Sequence, residues 1–355
     1  MVEESPDNPL NLHDLTYDAM VGLLTGWGYS DYHARQLWDA LYVDHATGMT
    51  DLDRLRPDLR QRLLESAALT GVISTATVRS DDRQTIKYLL RLADGQTVET
   101  VLMRYPGRAI ACISTQVGCA MGCVFCATGQ MGFIRQLAPG EIVAQVLFVA
   151  RELGRQGQTL RNIVLMGMGE PLHNYRATTT ALAILMDDRG LAIAPKHITL
   201  STVGLPDGIR RLADDEIGVN LAVSLHAADD RTRAELVPVA RRWPLSDIID
   251  ACRYYVARRG RRIFFEWALI AGANDDAQTA HRLGTLLHGL DAHVNLIPLN
   301  PTGEYGGRPS DPASIRAFQD VLAEYGLPST VRQRRGIDID AGCGQLRARV
   351  SSQSD

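Results

Sequence analysis

Lysine is nearly missing from this 355-residue chain: it occurs only at Lys87 and Lys196, and the other 35 basic side chains are arginine. No run of about 18 apolar residues is present, so no membrane span is expected. The opening segment, MVEESPDNPLNLHDL, is acidic and polar where an export signal is basic and then apolar. Both features set the expectation of a cytoplasmic chain. Repeats of solenoid period and low-complexity tracts are lacking too, and only a polar tail, SSQSD, is expected to fray. Neither sign of charge is in large excess, since 37 basic and 41 acidic residues leave a formal charge of −4. Near-neutral charge still leaves room for RNA, which needs only a local basic patch. Two runs offer one: Arg253, Arg258, Arg259, Arg261 and Arg262, and then Arg332, Arg334 and Arg335. Arginine suits bidentate phosphate contacts and base stacking, although a GC-rich genome gives the same bias and a charged run is most often a solvated face.

What is present is a soluble globular composition, 45% hydrophobic and 22% charged. A chain this long buries roughly three quarters of its unfolded surface and needs neither disulfide nor metal merely to fold, so any metal is functional. Six cysteines stand at 112, 119, 123, 126, 252 and 343, four of them within fifteen residues, which is not the scatter of a secreted disulfide scaffold.

Helical spacing covers residues 15–29, 31–45 and 51–67 and predicts a small all-helical unit over 1–75. The period then changes: TIKYLLRLADGQTVETVLMRY alternates around the turn pair Asp94-Gly95, which reads as a β-hairpin linker over 76–104. From there RAIACIST, RNIVLMG, HITLSTV, VNLAVSLH, RIFFEWALI, AHVNLIPL and STVRQR read as strands separated by helices such as PGEIVAQVLFVARELGRQ and DDAQTAHRLGTLLHGL. The α/β core is placed at 105–336 and a C-terminal tail at 337–355. Periodicity alone leaves an open doubly wound sheet and a full or partial barrel as alternatives.

Cys119, Cys123 and Cys126 form a C-x-x-x-C-x-x-C pattern right after the first core strand. Three thiolates on a glycine-containing loop can wrap one polynuclear iron–sulfur cluster and leave the fourth iron open. A zinc knuckle is the alternative, but zinc sites draw ligand pairs from two-residue gaps and complete them with a further Cys or His. Gly167-Met168-Gly169-Glu170, Ser201-Thr202, Ser224-Leu225-His226 and Asn300 fall at the ends of successive strands. Each alone is weak, because a G-x-G turn is more often a strand exit and a lone Ser or Asn a helix cap. Their shared edge with the cysteine loop raises them together, since barrel-type folds hold ligands there.

At these residues the sequence resembles a known family. The cysteine triplet is the signature of the radical S-adenosylmethionine (SAM) superfamily, and GMGEP at 167–171 is similar to its methionine-binding turn. VETV at 98–101, CISTQVGC at 112–119, FCATGQMGF at 125–133, SLH at 224–226, NLIPLNP at 295–301 and RGIDIDAGCGQL at 335–346 resemble the RlmN family of dual-specificity rRNA and tRNA adenine methyltransferases. The likeness covers nearly the whole chain. It implies a partial (β/α)6 barrel with an N-terminal helical RNA-binding domain, a 4Fe-4S cluster on Cys119, Cys123 and Cys126, and two SAM molecules per turnover. Gly169, Glu170, Ser201, Ser224, Leu225, His226 and Asn300 would hold SAM. By the same resemblance Cys343 takes a methyl from one SAM, a 5′-deoxyadenosyl radical from the second activates that methyl, and the methylene adds to carbon 2 of adenine. Glu99 would accept the ring proton, and Cys112 would release the adduct by forming a disulfide with Cys343. The implied substrates are 23S rRNA, at an adenosine of the 2503 type, and tRNA at adenosine 37. An external one-electron donor such as flavodoxin or ferredoxin and a monomeric state complete the expectation.

Cys252, in the helical run IIDACRYYV, has no motif around it and reads as core. The sequence departs from the family at Arg334, Ile134 and Gly342, none of them an implied ligand or reacting group. Two alternatives stand beside this reading. One is a Cfr-like enzyme acting on carbon 8 of the same rRNA adenine, against which Pro171 and Arg335 speak. The other is a non-catalytic RNA-binding protein with zinc on its cysteine loop.

Overall fold

A computed structural model of the chain describes residues 10–347, so the acidic opening through Pro9 and the SSQSD tail lie outside the described residues. Ten strands form one sheet. Three antiparallel strands, β1 (Ile73–Arg79), β2 (Thr85–Arg91) and β3 (Thr97–Tyr105), lead into β4 (Arg108–Cys112). They are followed by β5 (Asn162–Leu165), β6 (Ile198–Thr202), β7 (Asn220–Ser224), β8 (Ile263–Leu269), β9 (Ala292–Pro298) and β10 (Ser329–Val331). Across the sheet the order is β10-β9-β8-β7-β6-β5-β4-β3-β2-β1, and the two edge strands do not meet. The barrel is therefore partial, as the resemblance implied. β4 pairs antiparallel with β3 and parallel with β5, so the hairpin expected as a linker instead continues the core sheet.

The parallel strands read as near-continuous apolar runs because helices cover them, and Leu221, Ala222 and Val223 are fully buried on β7. Several of those helices start where the sequence supplies a start signal. Pro139, Pro206 and Pro312 open α5 (Pro139–Gly154), α7 (Pro206–Asp214) and α11 (Pro312–Glu324), where a missing N–H costs nothing. Asp276 accepts the Thr279 N–H at 2.7 Å ahead of α10 (Ala277–Leu287). In the N-terminal unit α1 (Tyr17–Gly26) and α2 (Asp31–Tyr42) follow the expected spacing. The third helix, α3 (Pro57–Ser66), starts six residues later than the pattern predicted, because Pro57 disfavours helical backbone in the residue before it. Among the described residues no helix is long and apolar enough to cross a membrane.

The first arginine run is paired with carboxylates and carbonyls, while Arg253, Arg258 and Arg262 keep about half of their side chains exposed. Arg262 donates to Asp291 at 2.7 Å, Arg261 to Asn220 at 2.9 Å and to the Gly218 carbonyl, and Arg259 to the Glu216 carbonyl at 2.9 Å. Arg258 lies 3.9 Å from Asp214 and 3.8 Å from Glu216. These partners sit where β7 and β9 begin, at the opposite end of the strands from the cysteine loop.

The helical unit docks on α5. Asp14 accepts the Gly140 N–H at 2.6 Å at the positive end of that helix, and Gly140 is required there because a Cβ would stand 2.6 Å from Thr70 Oγ1. Beside it the Thr70 N–H donates to Nδ1 of His13 at 3.2 Å, and His13 is 2% exposed. Burial, reinforced by the positive charge of Arg151, holds the His13 imidazole at about 4. The unfolded chain then takes up a proton between about pH 6.5 and 4 that the folded chain refuses. Stability present above pH 6.5 is lost as the pH falls, by roughly 3 kcal/mol at pH 4. His13→Gln should flatten this dependence in denaturant titrations at pH 7 and 5, and an unchanged difference between the two pH values would contradict the assignment.

Candidate active site

The strand-to-helix turn after β4 places the three signature cysteines. Residues Gln116–Gly118 pair with Phe133–Gln136, and Gly118, at φ +74°, makes that pairing possible because a Cβ would collide with the Gly132 carbonyl. The loop is pinned by the Cys119 N–H on the Gly132 carbonyl at 2.9 Å and the Val124 N–H on the Leu236 carbonyl at 3.1 Å. Cys119, Cys123 and Cys126 then line one cavity with Gly169, Glu170, Ser201, Ser224, His226, Asn300 and Cys343. Burial pushes Cys119 up to about 12 and Cys123 well above the usual thiol range, and the neighbouring thiols add to both shifts. Such a set is expensive to ionise until cations sit among the sulfurs. Among the described residues no three Cys, His, Asp or Glu side chains converge on a single ion position. The C-x-x-x-C-x-x-C pattern on this loop suits thiolate ligation of an iron–sulfur cluster, which Cys119, Cys123 and Cys126 would hold. All six cysteines are free thiols.

Glu170 is 2% exposed, and both its oxygens accept backbone N–H groups, Leu172 at 3.0 Å on Oε1 and Val203 at 2.8 Å on Oε2. Burial nevertheless raises it to about 7, so its charge awaits a cation such as an amino group. Ser201 and Ser224 face each other with hydroxyls 3.4 Å apart. His226 takes the Ala268 N–H on Nδ1 at 3.0 Å, which leaves Nε2 as the protonated nitrogen, and burial lowers it to about 3. Leu225 is the exception among the expected cofactor residues: it is fully buried and does not line the cavity. Its N–H donates to the Glu266 carbonyl at 3.0 Å, and its own carbonyl accepts from Arg233 at 3.2 Å.

A second cavity opens on the other side of Cys343. It is lined by Met103, Tyr105, Ile110 and Cys112 from β3 and β4, by Arg332, Arg334 and Arg335 beyond β10, and by Asn300 and Glu266. Cys343 lines both cavities, and Cys112 only the second. The segment carrying Cys343 is held from three sides. Asn300 Nδ2 donates to the Cys343 carbonyl at 3.1 Å, Gln345 donates to the Pro301 carbonyl at 2.9 Å, and the Ala127 N–H and Thr128 hydroxyl donate to the Gly344 and Leu346 carbonyls at 2.7 Å each. Gly342, a departure from the family pattern, fits this approach, for a Cβ there would stand 2.7 Å from Asn300 Nδ2. Arg334, another departure, donates to the Asn300 side-chain oxygen at 3.3 Å.

Glu99 lines neither cavity. It lies on the sheet face that also carries Cys112, two residues from Val101, the register partner of Cys112. Its carboxylate is paired with Lys87 at 3.1 Å and accepts the Arg347 N–H at 2.8 Å.

Sequence reasoning passed over two buried charges. Arg233 is 1% exposed and ties the ends of β6 and β7 together through the Val203 and Leu225 carbonyls. Glu266, on β8, faces both cavities. The signal for Glu266 was a lone carboxylate inside the apolar run RIFFEWALI, since a charge within a buried strand is costly unless it has a task or a partner.

The cysteine loop also carries a packing constraint. A Cβ at Gly129 in α4 (Ala127–Met131) would lie 2.8 Å from the Cys123 carbonyl oxygen and 2.9 Å from its nitrogen. Gly129→Ala should therefore lower the melting temperature by a few degrees, for about 1–3 kcal/mol of overpacking, and reduce iron uptake on anaerobic reconstitution. Iron content and melting temperature equal to the unsubstituted chain would show that the loop is not held this tightly.

The profile of the Radical SAM superfamily matches residues 113–283. The chain is 62% identical to dual-specificity RNA methyltransferase RlmN 1 of Myxococcus xanthus over 98% of its own length and 97% of the relative's. It is 50% identical to a probable dual-specificity RNA methyltransferase, RlmN 2, of Opitutus terrae, over 99% of this chain and 89% of that one. Its fold is similar to the crystal structure of a radical SAM methyltransferase from Sphaerobacter thermophilus, with a TM-score of 0.92 at 47% identity, covering 96% of this chain and 100% of the other. On that identity over nearly the whole of both chains, the chain belongs to the RlmN family of the radical SAM superfamily.

Proposed function

We propose that this protein is a cytoplasmic RNA methyltransferase that adds a methyl group to carbon 2 of an adenosine in 23S rRNA and of adenosine 37 in tRNA, using Cys343 as the carrier. The observation that carries the reading is the position of Cys343 between two cavities, one lined by the three cysteines and Glu170 and the other by Cys112 and three arginines. The cluster and SAM, when bound, supply the methyl group and the radical that activates it. Every other part falls to the chain. Cys119, Cys123 and Cys126 would hold the cluster, and the raised carboxylate of Glu170 would receive the amino group of SAM. Ser201, Ser224 and His226 shape the remaining wall, while Asn300 positions the carrier segment through the Cys343 carbonyl.

The second cavity receives the adenine. Arg335 lies over the Tyr105 ring at 4.2 Å and Arg108 at 5.0 Å, an arrangement that offers planar faces to a base and charge to its phosphates. Pro171 and Arg335 favour carbon 2 over carbon 8. Cys112 lies on the adenine side, where it can reach the sulfur of Cys343 once the adduct has formed. Glu99 takes the ring proton after the 340–347 segment shifts, because Lys87 and the Arg347 N–H occupy its oxygens in the present arrangement. Release of the adduct joins the two thiols in a disulfide and leaves the methylated base, so each turnover ends with a need for external reductant.

The roles of the two thiols separate on substitution. Cys343→Ala should keep the cluster and abolish methylation. Cys112→Ala should keep the cluster and the carrier but accumulate protein bonded to RNA through Cys343, seen as a nuclease-sensitive mass increase. Cluster-replete Cys112→Ala protein that turns over normally without trapped RNA would overturn the reading.

A further inference from the structure

The Cys343 side chain is exposed into the cleft where the two cavities meet, and a thiol must lose its proton to attack a sulfonium methyl group. Desolvation inside the cleft raises it, as does the charge of Glu266. Among the described residues, the two cavities that meet at Cys343 are lined by two carboxylates, Glu170 and Glu266. Both oxygens of Glu170 already accept backbone N–H groups. The acceptor nitrogen of His226 is likewise occupied by the Ala268 N–H. Glu266 differs. Its two contacts, Asn295 Nδ2 at 2.9 Å and Arg332 at 3.5 Å, both fall on Oε1. Oε2 has no hydrogen-bond or ion-pair partner among the described residues, and the side chain is 4% exposed and faces the same two cavities as the thiol. Asn295 and Arg332 thus fix one oxygen and leave the other for the cleft.

We propose that Glu266 is the base that takes the thiol proton of Cys343 while that sulfur receives its methyl group from SAM. The S–H bond breaks toward the Glu266 oxygen, and the sulfur pair so released forms the new S–CH3 bond. The sulfonium C–S bond breaks with its electron pair remaining on sulfur, which gives neutral S-adenosylhomocysteine. No oxidant or reductant is needed, and the proton leaves Glu266 for solvent through the cleft. Burial raises the Glu266 carboxyl, in the direction that brings a carboxylate toward the working range of a base near neutral pH. The inference rests on Cys343 being the methyl carrier.

The test is single-turnover loading of cluster-replete full-length protein with methyl-labelled SAM, with the Cys343 peptide read by mass spectrometry. Glu266→Gln should load about a hundredfold more slowly, in line with loss of a general base, and Glu266→Asp should recover part of the rate. Iron content should stay at the level of the unsubstituted chain, and loading is read at saturating SAM so that a change in affinity does not enter the rate. A carboxylate acting only as a charge gives the opposite sign, because removing a negative neighbour makes the thiolate easier to form and Glu266→Gln would then load faster. Loading at an equal or faster rate overturns the proposal. Failure of the unsubstituted protein to carry a methyl on Cys343 would instead overturn the carrier reading on which it stands.

Discussion

Everything distinctive about this molecule depends on a short C-terminal segment lying across the mouth of the partial barrel. Residues 342–346 have no regular secondary structure, so their backbone groups must find partners elsewhere. They find them on the cysteine loop helix, through Ala127 and Thr128, and on Asn300 in the loop after β9, where the Gln345 side chain also donates to the Pro301 carbonyl. These hydrogen bonds put one thiol between two cavities of different character. The cavity behind it is lined by sulfur and small polar groups suited to a cluster and a sulfonium ligand, and the one in front by arginines and an aromatic ring suited to a nucleotide. Glycine at 342 permits the close approach, since the neighbouring side-chain amides of Asn300 and Gln345 leave no room for a Cβ.

The electrostatics of the site follow one rule. Groups that would be charged in water are buried in a state that discourages charge, and the missing counter-charge is what the ligands bring. Cys119 and Cys123, the proposed cluster ligands, are raised by burial, and so is Glu170. Cys112 is pushed up to about 12, which keeps the thiol proposed to resolve the adduct protonated. The arginines divide by position. Those near 260 bind carboxylates and carbonyls where strands begin, and those near 334 face the open cavity where strands end.

Much of this was legible in the residues. The helices of the N-terminal unit, the hairpin at Asp94-Gly95 and the seven core strands all declare themselves by period and turn chemistry, and the cysteine triplet fixes the cluster loop. Periodicity could not settle whether the sheet closes, because pairing between β10 and β1 is a long-range matter that leaves no local mark. It could not separate the two arginine runs either, since a run facing Asp214, Glu216 and Asp291 looks the same in sequence as one facing a cavity. The hairpin read as a linker because its turn is visible locally, while its pairing with β4 is not. Glu99 was named from its motif, yet its ion pair with Lys87 depends on strand register, and its cover by Arg347 joins residues 248 positions apart. Glu266 and Arg233 lie in no motif; Glu266 breaks an otherwise apolar strand, whereas Arg233 stands in the polar run DDRTRAE, where one more charge leaves no mark.

Nucleoside mass spectrometry tests the central claim most directly. RNA from cells lacking this gene is compared with RNA from the same cells restored with the intact chain or with Cys343→Ala. The account predicts that 2-methyladenosine disappears from 23S rRNA and tRNA on deletion, returns with the intact chain and stays absent with the Cys343 substitution. Restoration by the Cys343-substituted chain, or methylation at carbon 8 in place of carbon 2, would contradict it.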